Sequence, residues 1–260
     1  MSSARSLDDL RFSWGVCLLD SSVYNELGSA NMHLAHSVIT TGDSPLLQLR
    51  CEAFLFDLDG VLVDSRAVVE RTWRRWAQRH QLDPERLLRV AHGRRTRETL
   101  QAVVPHLCLD SDVAWLDAAE LADVDGLVAV EGALRLLSTL PPSAWAVVTS
   151  GGRALARRRL ESASLPIPRV LVTSEDVTGG KPAPDGYLLA AKRLGCEAAS
   201  CLVFEDAPPG VAAGRAAGAR VVAITTTHSA HQVEEADAAI ANLVGIRVRS
   251  DATGFVVEIP

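Results

Sequence analysis

The sequence predicts an α/β fold, a mainly parallel sheet flanked by helices, with a helical domain inserted after the first core strand. Three observations carry this prediction. Short apolar runs alternate with helical patterns from Ala53 onward, and such alternation implies right-handed crossovers between parallel strands. Roughly 80 residues separate the first run from the second, far more than one crossover needs. Each run also ends on polar residues, and the carboxyl ends of strands are where open α/β sheets collect their ligands.

Taken in order, residues 1–50 show scattered Ser, Asn, Gly and Asp, no sustained periodicity and both methionines, Met1 and Met32. They read as a loosely ordered extension, with packing of Phe12–Leu19 and a natural start at Met32 as the alternatives. Ala53–Phe56 is apolar and aromatic-rich, as a central strand covered on both faces should be. Helical apolar spacing follows over Val68–His80, Pro84–Ala91, Thr96–Val104 and Asp112–Leu121, with Pro84 suited to a first turn. These segments read as a helical cap placed over the crevice. The strands Trp145–Val148, Val170–Val172, Leu202–Phe204 and Val221–Ile224 come next, with helices near 153–163, 184–194 and 208–217. In the tail, Phe255–Ile259 suits an extra edge strand. The predicted division is an extension 1–50, a core 51–67 and 131–245, a cap 68–130 and a tail 246–260.

Chemistry concentrates at the strand ends. Phe56 gives way to Asp57-Leu58-Asp59-Gly60, two carboxylates at i and i+2 followed by a glycine that permits a tight turn. Acids held so close repel unless something positive lies between them, and a hard divalent cation, Mg²⁺ best, meets that need. Val148 leads into Thr149-Ser150-Gly151-Gly152, where hydroxyls and free N–H groups meet a helix N-terminus that favours anions. After Thr173 comes Gly180-Lys181-Pro182, whose ammonium suits a phosphoryl oxygen and a nearby carboxylate together. Leu202-Val203-Phe204 ends on Glu205-Asp206, and a helix N-cap by Asp206 accounts for one of these acids but not both. Each cluster alone is ordinary; four in succession are specific.

Composition narrows the partners. The 26 Lys and Arg against 32 Asp and Glu give a net charge of −6, which offers no general attraction to nucleic acid or anionic membrane and points to a small molecule. The five cysteines, Cys17, Cys51, Cys108, Cys196 and Cys201, form no CxxC pair, so a reducing cytoplasm is expected rather than a disulfide framework or zinc site. No window approaches the run of about 18 apolar residues that a membrane helix needs, and no secretory leader is apparent.

These four clusters, over about residues 51–241, resemble those of the haloacid dehalogenase-like hydrolase superfamily: DLDG at 57–60, TS at 149–150, GKP at 180–182 and ED at 205–206. The resemblance implies a Rossmann-like core with a helical cap of the sugar-phosphatase and β-phosphoglucomutase kind. It implies that Asp57 is the nucleophile, forming an aspartyl-phosphate, and that Asp59 is the general acid and then base. Mg²⁺ would be held by the Asp57 side chain, the Asp59 carbonyl and Asp206, with Glu205 either supporting or coordinating directly. Thr149, Ser150, Gly151 and Lys181 would hold the phosphoryl group.

The cap stretch His92-Gly93-Arg94-Arg95-Thr96 resembles the HGRxT segment of sugar- and polyol-phosphate phosphatases, in which such residues recognise the leaving group. Arg94 or Arg95 suits a bidentate contact with a substrate oxygen and His92 a hydroxyl; an ordinary basic helix start is the alternative. Against a mutase, the cap arginine position falls on Thr96, although Arg95 or Arg97 could substitute by a small shift, and the histidine after the DxD motif falls on Val69. Against a silent binding protein, no acid of either pair is lost. The expectation is therefore a Mg²⁺-dependent phosphatase of small sugar or polyol phosphates, with a mutase and a non-catalytic sugar-phosphate binder as alternatives.

Overall fold

A computed structural model describes residues 47–107 and 110–260. The expectations for residues 1–46, including Phe12–Leu19 and Met32, lie outside the described residues. In chain order the elements are β1 (Leu47–Cys51), β2 (Ala53–Phe56), β3 (Val63–Asp64), α1 (Arg66–Arg79), α2 (Pro84–Ala91), α3 (Thr96–Val103), α4 (Asp110–Ala122), β4 (Val128–Ala129), α5 (Ala133–Thr139), β5 (Trp145–Val148), α6 (Arg153–Ser162), β6 (Val170–Val172), α7 (Asp185–Leu194), β7 (Cys201–Glu205), α8 (Pro208–Ala216), β8 (Arg220–Ile224), β9 (Ala238–Ile240), β10 (Arg247–Asp251) and β11 (Gly254–Ile259).

The main sheet runs β6-β5-β2-β7-β8-β9, and every pair in it is parallel. This is the α/β class that the alternating pattern predicts. The sheet has two buried faces because its strands alternate. Phe54, Phe56, Trp145, Val147, Leu202 and Phe204 pack on one side, while Ala53, Leu55, Ala146, Val148, Cys201 and Val203 pack on the other. Phe56 and Phe204 stack with ring centroids 5.0 Å apart, an arrangement worth about 0.5–1.5 kcal/mol beyond the area it buries. From β2 the chain goes first to β5 on one side and later to β7 on the other. The crevice at that reversal of direction lies beyond the end of β2.

Helices α1 to α4 form the insertion and have an apolar centre of their own, built from Trp73, Trp76, Leu87, Leu100 and Leu116. Helix α2 starts where Asp83 accepts the Glu85 amide at 3.0 Å, with Pro84 next in line, a capped first turn. Ser65 precedes α1 without capping it; its hydroxyl is turned toward Asp59 instead. The two connections between insertion and core pair with each other, Val63 opposite Ala129 in an antiparallel β3–β4 bridge.

The terminal segments depart from the prediction. Leu47–Arg50, read as part of the extension, belong to β1, and β11 pairs with β1 on one side and β10 on the other in a separate antiparallel sheet. Phe255–Ile259 is thus the middle strand of a small sheet, not an added edge of the main one. Sequence alternation marks a strand but does not choose its neighbour. Neither strand β9 nor helix α5 is among the elements predicted from sequence; both are short and only partly buried. No helix among the described residues is long and apolar enough to cross a membrane.

Candidate active site

Strands β2 and β7 lie in register with Phe56 opposite Phe204, so the residues that follow them leave the sheet side by side. The Asp57 amide donates to the Phe204 carbonyl at 2.9 Å. This register brings Asp57, Glu205 and Asp206 together, with one carboxylate oxygen from each within 4.8 Å of the others and all three residues buried. Lys181, from the loop after β6, reaches in and donates to Asp57 Oδ1 at 2.5 Å while lying 2.6 Å from Glu205 Oε1. Tyr187 on α7 donates its phenol to the same Glu205 oxygen at 2.5 Å, and the Asp206 amide donates to the other at 3.1 Å. Glu205 therefore has both oxygens engaged by protein groups.

Ionised, the three carboxylates carry three negative charges against one on Lys181, which leaves two uncompensated in a buried site. Burial pushes the Asp57 carboxyl up to about 7; the Lys181 ammonium opposes that rise and the Glu205 charge adds to it. Asp206 is driven well above the usual carboxylate range, by burial first and then by the charges of Asp57 and Glu205. Burial acts to lower the Lys181 pKa, but Asp57 and Glu205 outweigh it and keep the ammonium charged. An all-oxygen donor set with two unbalanced charges fits a hard divalent cation. The backbone makes room for the acids themselves: Gly60 has φ +80°, and a side chain there would overlap the Asp206 carboxylate. One at Gly210 would overlap Glu205.

Thr149 and Ser150 leave β5, the strand on the other side of β2. The Thr149 hydroxyl accepts the Gly151 amide at 3.1 Å, and the Ser150 hydroxyl donates to the Gly93 carbonyl of the cap at 3.0 Å. Asp59 stands apart from the acidic trio. Its Oδ1 accepts the Ser65 hydroxyl at 2.7 Å, and its Oδ2 lies 2.7 Å from Arg159 Nη1.

The cap residues divide. His92 faces His228 with ring centroids 6.2 Å apart. Burial lowers the pKa of both imidazoles, and at His92 the facing His228 lowers it further. Arg94 is half-buried, and its guanidinium has no hydrogen-bond or ion-pair partner among the described residues. Arg95 instead spends its guanidinium on the core, donating to the carbonyls of Thr178 at 2.9 Å and Val177 at 3.0 Å. Thr96 turns to Asp117 within the cap, 2.7 Å away. Gly93, at φ +75°, lies so close to Ala207 that a Cβ would come within 2.8 Å of the alanine methyl.

Several residues of this region were not singled out from sequence. Strand β8 ends on Thr225-Thr226-Thr227-His228, where the Thr227 hydroxyl bonds the Asp206 carboxylate and His228 Nδ1 lies 3.1 Å from the Asp206 carbonyl oxygen. The strand-end rule that selected the other clusters also selects this one. Tyr187, Arg159 and Glu120 carry no such signal, since each sits within a helix rather than at a strand end. A cavity of about 440 Å³ lined by Arg153, Arg157, Arg169 and Arg193 opens beside β6, away from these acids. Its Arg153 and Arg193 are held by Asp176 at 2.6 and 2.7 Å.

A profile of the haloacid dehalogenase-like hydrolases matches residues 51–218. Hexitol phosphatase A of Escherichia coli is 42% identical over 80% of this chain and 99% of its own length. Glycerol-1-phosphate phosphohydrolase 2 of Saccharomyces cerevisiae is 34% identical over 78% of this chain and 86% of its own. Among solved structures, a hydrolase from Pseudomonas syringae superposes with a TM-score of 0.67 at 28% identity, covering 75% of this chain and 94% of that one. The matched segment runs from the start of the acid-bearing strand past α8, and the relatives align over most of their length; the chain belongs to the haloacid dehalogenase-like hydrolase family.

Proposed function

We propose that this hydrolase is a Mg²⁺-dependent phosphatase acting on a small sugar or polyol phosphate through an aspartyl-phosphate on Asp57. The supporting observation is the buried trio of Asp57, Glu205 and Asp206 with one lysine among them. Phosphoryl transfer depends on alignment and charge neutralisation, and these groups offer both. In this reading Asp57 attacks phosphorus while Lys181, Thr149, Ser150 and Gly151 hold the phosphoryl oxygens. The departing substrate oxygen takes a proton from Asp59. Asp59 then removes a proton from water, whose oxygen attacks the aspartyl-phosphate, releasing phosphate and restoring Asp57. Asp57, the Asp59 carbonyl and Asp206 would hold Mg²⁺, with Glu205 in support because its oxygens are already engaged. When bound, the ion supplies positive charge to the phosphoryl oxygens and offsets the acids.

The substrate class is supported by the relatives, a hexitol phosphatase and a glycerol-1-phosphate phosphohydrolase. His92 and His228, neutral by burial, suit hydroxyl groups, and half-buried Arg94 suits a polar substrate oxygen. The free thiols of Cys51, Cys196 and Cys201 support a cytoplasmic setting as part of the same proposal. With Mg²⁺ present, hexitol and glycerol phosphates should release inorganic phosphate. β-Glucose-1-phosphate with a trace of bisphosphate separates the mutase alternative: glucose-6-phosphate formed without phosphate release would overturn hydrolysis.

The ion should leave a pH-dependent trace in stability. A carboxyl raised from 3.8 to about 7 by folding stabilises the fold at low pH and loses that contribution as pH rises through 7. Asp206 is raised as well and acts in the same direction. The metal-free protein should therefore melt at lower temperature at pH 8 than at pH 5. Added Mg²⁺, which needs the ionised acids, should raise the melting temperature more at pH 8. Equal Mg²⁺ shifts at both pH values would count against the trio as the ion's site.

A further inference from the structure

The mechanism above leaves one buried ion cluster unused. Arg159 on α6 is only 3% exposed. Its Nη1 lies 2.7 Å from Asp59 Oδ2, and its Nη2 donates to Glu120 Oε2 at 2.6 Å. Glu120 is itself buried and sits near the end of α4, the last helix of the cap. One guanidinium thus joins a core helix, a cap helix and the side chain assigned to proton transfer.

Stability is a weak reason for such an arrangement. Two carboxylates and one guanidinium taken out of water are costly to desolvate, and apolar side chains of similar volume usually do as well or better. Arg159 Nε is buried with no partner among the described residues, which adds to the cost of the cluster. What apolar packing cannot do is aim a carboxylate. With Ser65 on Oδ1 and Arg159 on Oδ2, both oxygens of Asp59 are fixed, and the position of Arg159 depends in turn on a glutamate that belongs to the cap.

We propose that Arg159, held by Glu120 of the cap helix α4, is the positioning residue that aims Asp59 for acid–base chemistry. Without the Glu120 contact the Arg159 guanidinium loses one of its two anchors, and Asp59 Oδ2 loses the fixed partner that aims it. This rests on the reading of Asp59 as the acid–base group.

The test compares kcat/KM, which reports transfer to Asp57, for an alkyl ester such as glycerol-1-phosphate and for p-nitrophenyl phosphate, whose leaving group needs no proton. Glu120→Gln and Arg159→Met should lower the alkyl value about 10- to 100-fold, part of what an acid–base group supplies. The aryl value should stay within about threefold of wild type, and Arg159→Lys should recover part of the alkyl loss. Equal losses on both esters, or none on either, would overturn the proposal. Glu120→Gln is nearly isosteric and keeps a hydrogen-bond acceptor, so it remains informative even if Arg159→Met does not fold. Asp59→Asn serves as the reference: if it spares the alkyl ester or lowers both esters alike, the acid–base assignment itself fails, whatever the other variants do.

Discussion

Asp57→Asn is expected to lower phosphate release by about 10⁴-fold or more in kcat while leaving the fold intact, if Asp57 is the nucleophile proposed above. The amide keeps the shape of the side chain but removes the oxygen anion to which the proposed mechanism assigns the attack on phosphorus. The effect on stability runs the other way from activity. Asp57 shares a buried space with Glu205 and Asp206, so neutralising it relieves repulsion that Lys181 only partly offsets. Metal-free Asp57→Asn should melt at or above the wild-type temperature at pH 8. Phosphate release followed alongside thermal unfolding checks both halves; turnover retained in a folded variant would remove Asp57 as the nucleophile.

Lys181→Met is expected to lose activity as fully but to destabilise. The ammonium lies within 2.6 Å of both Asp57 and Glu205 and is only 6% exposed. Taking it away leaves three buried acids with no cation among them, and breaking a buried pair by removing one partner typically costs about 3–5 kcal/mol. Part of that loss should return at low pH, where the raised carboxyls take up protons. Denaturant melts at pH 5 and pH 8 without metal measure this. A variant as stable as wild type at pH 8 would mean that the acids are held neutral without the lysine. The contrast between the two variants separates charge balance from packing, because both side chains are similarly buried and yet their removal shifts stability in opposite directions.

Much of the fold was legible because its determinants are local. Trp145–Val148 and Val170–Val172 are strands over the predicted bounds, since a short apolar run covered on both faces announces itself by composition. Pro84–Ala91 is likewise the predicted helix, with Pro at its first position and an Asp before it. Glu205 was not counted in its strand because an acid ends the apolar run, yet it pairs with Ala223 across the sheet. Its burial is made tolerable by Lys181 and Tyr187, which arrive from other segments. Of the three adjacent arginines 157–159, only Arg159 turns inward, beside Ala156 and Leu160 on the buried face of α6. Helical spacing allows that orientation but does not require it of a charged residue.

The sequence by itself determined which segments are strands and helices, and which strand ends carry acids, hydroxyls and a lysine, because secondary structure and turns follow from residues close in the chain. Only the tertiary structure decided that Asp57 lies beside Asp206, that Arg95 donates to the Val177 and Thr178 carbonyls of the core, and that Glu120 reaches Asp59 through Arg159. Those pairings join residues far apart in the chain. They are fixed by strand register and by the seating of the cap, which depend on burying many side chains together.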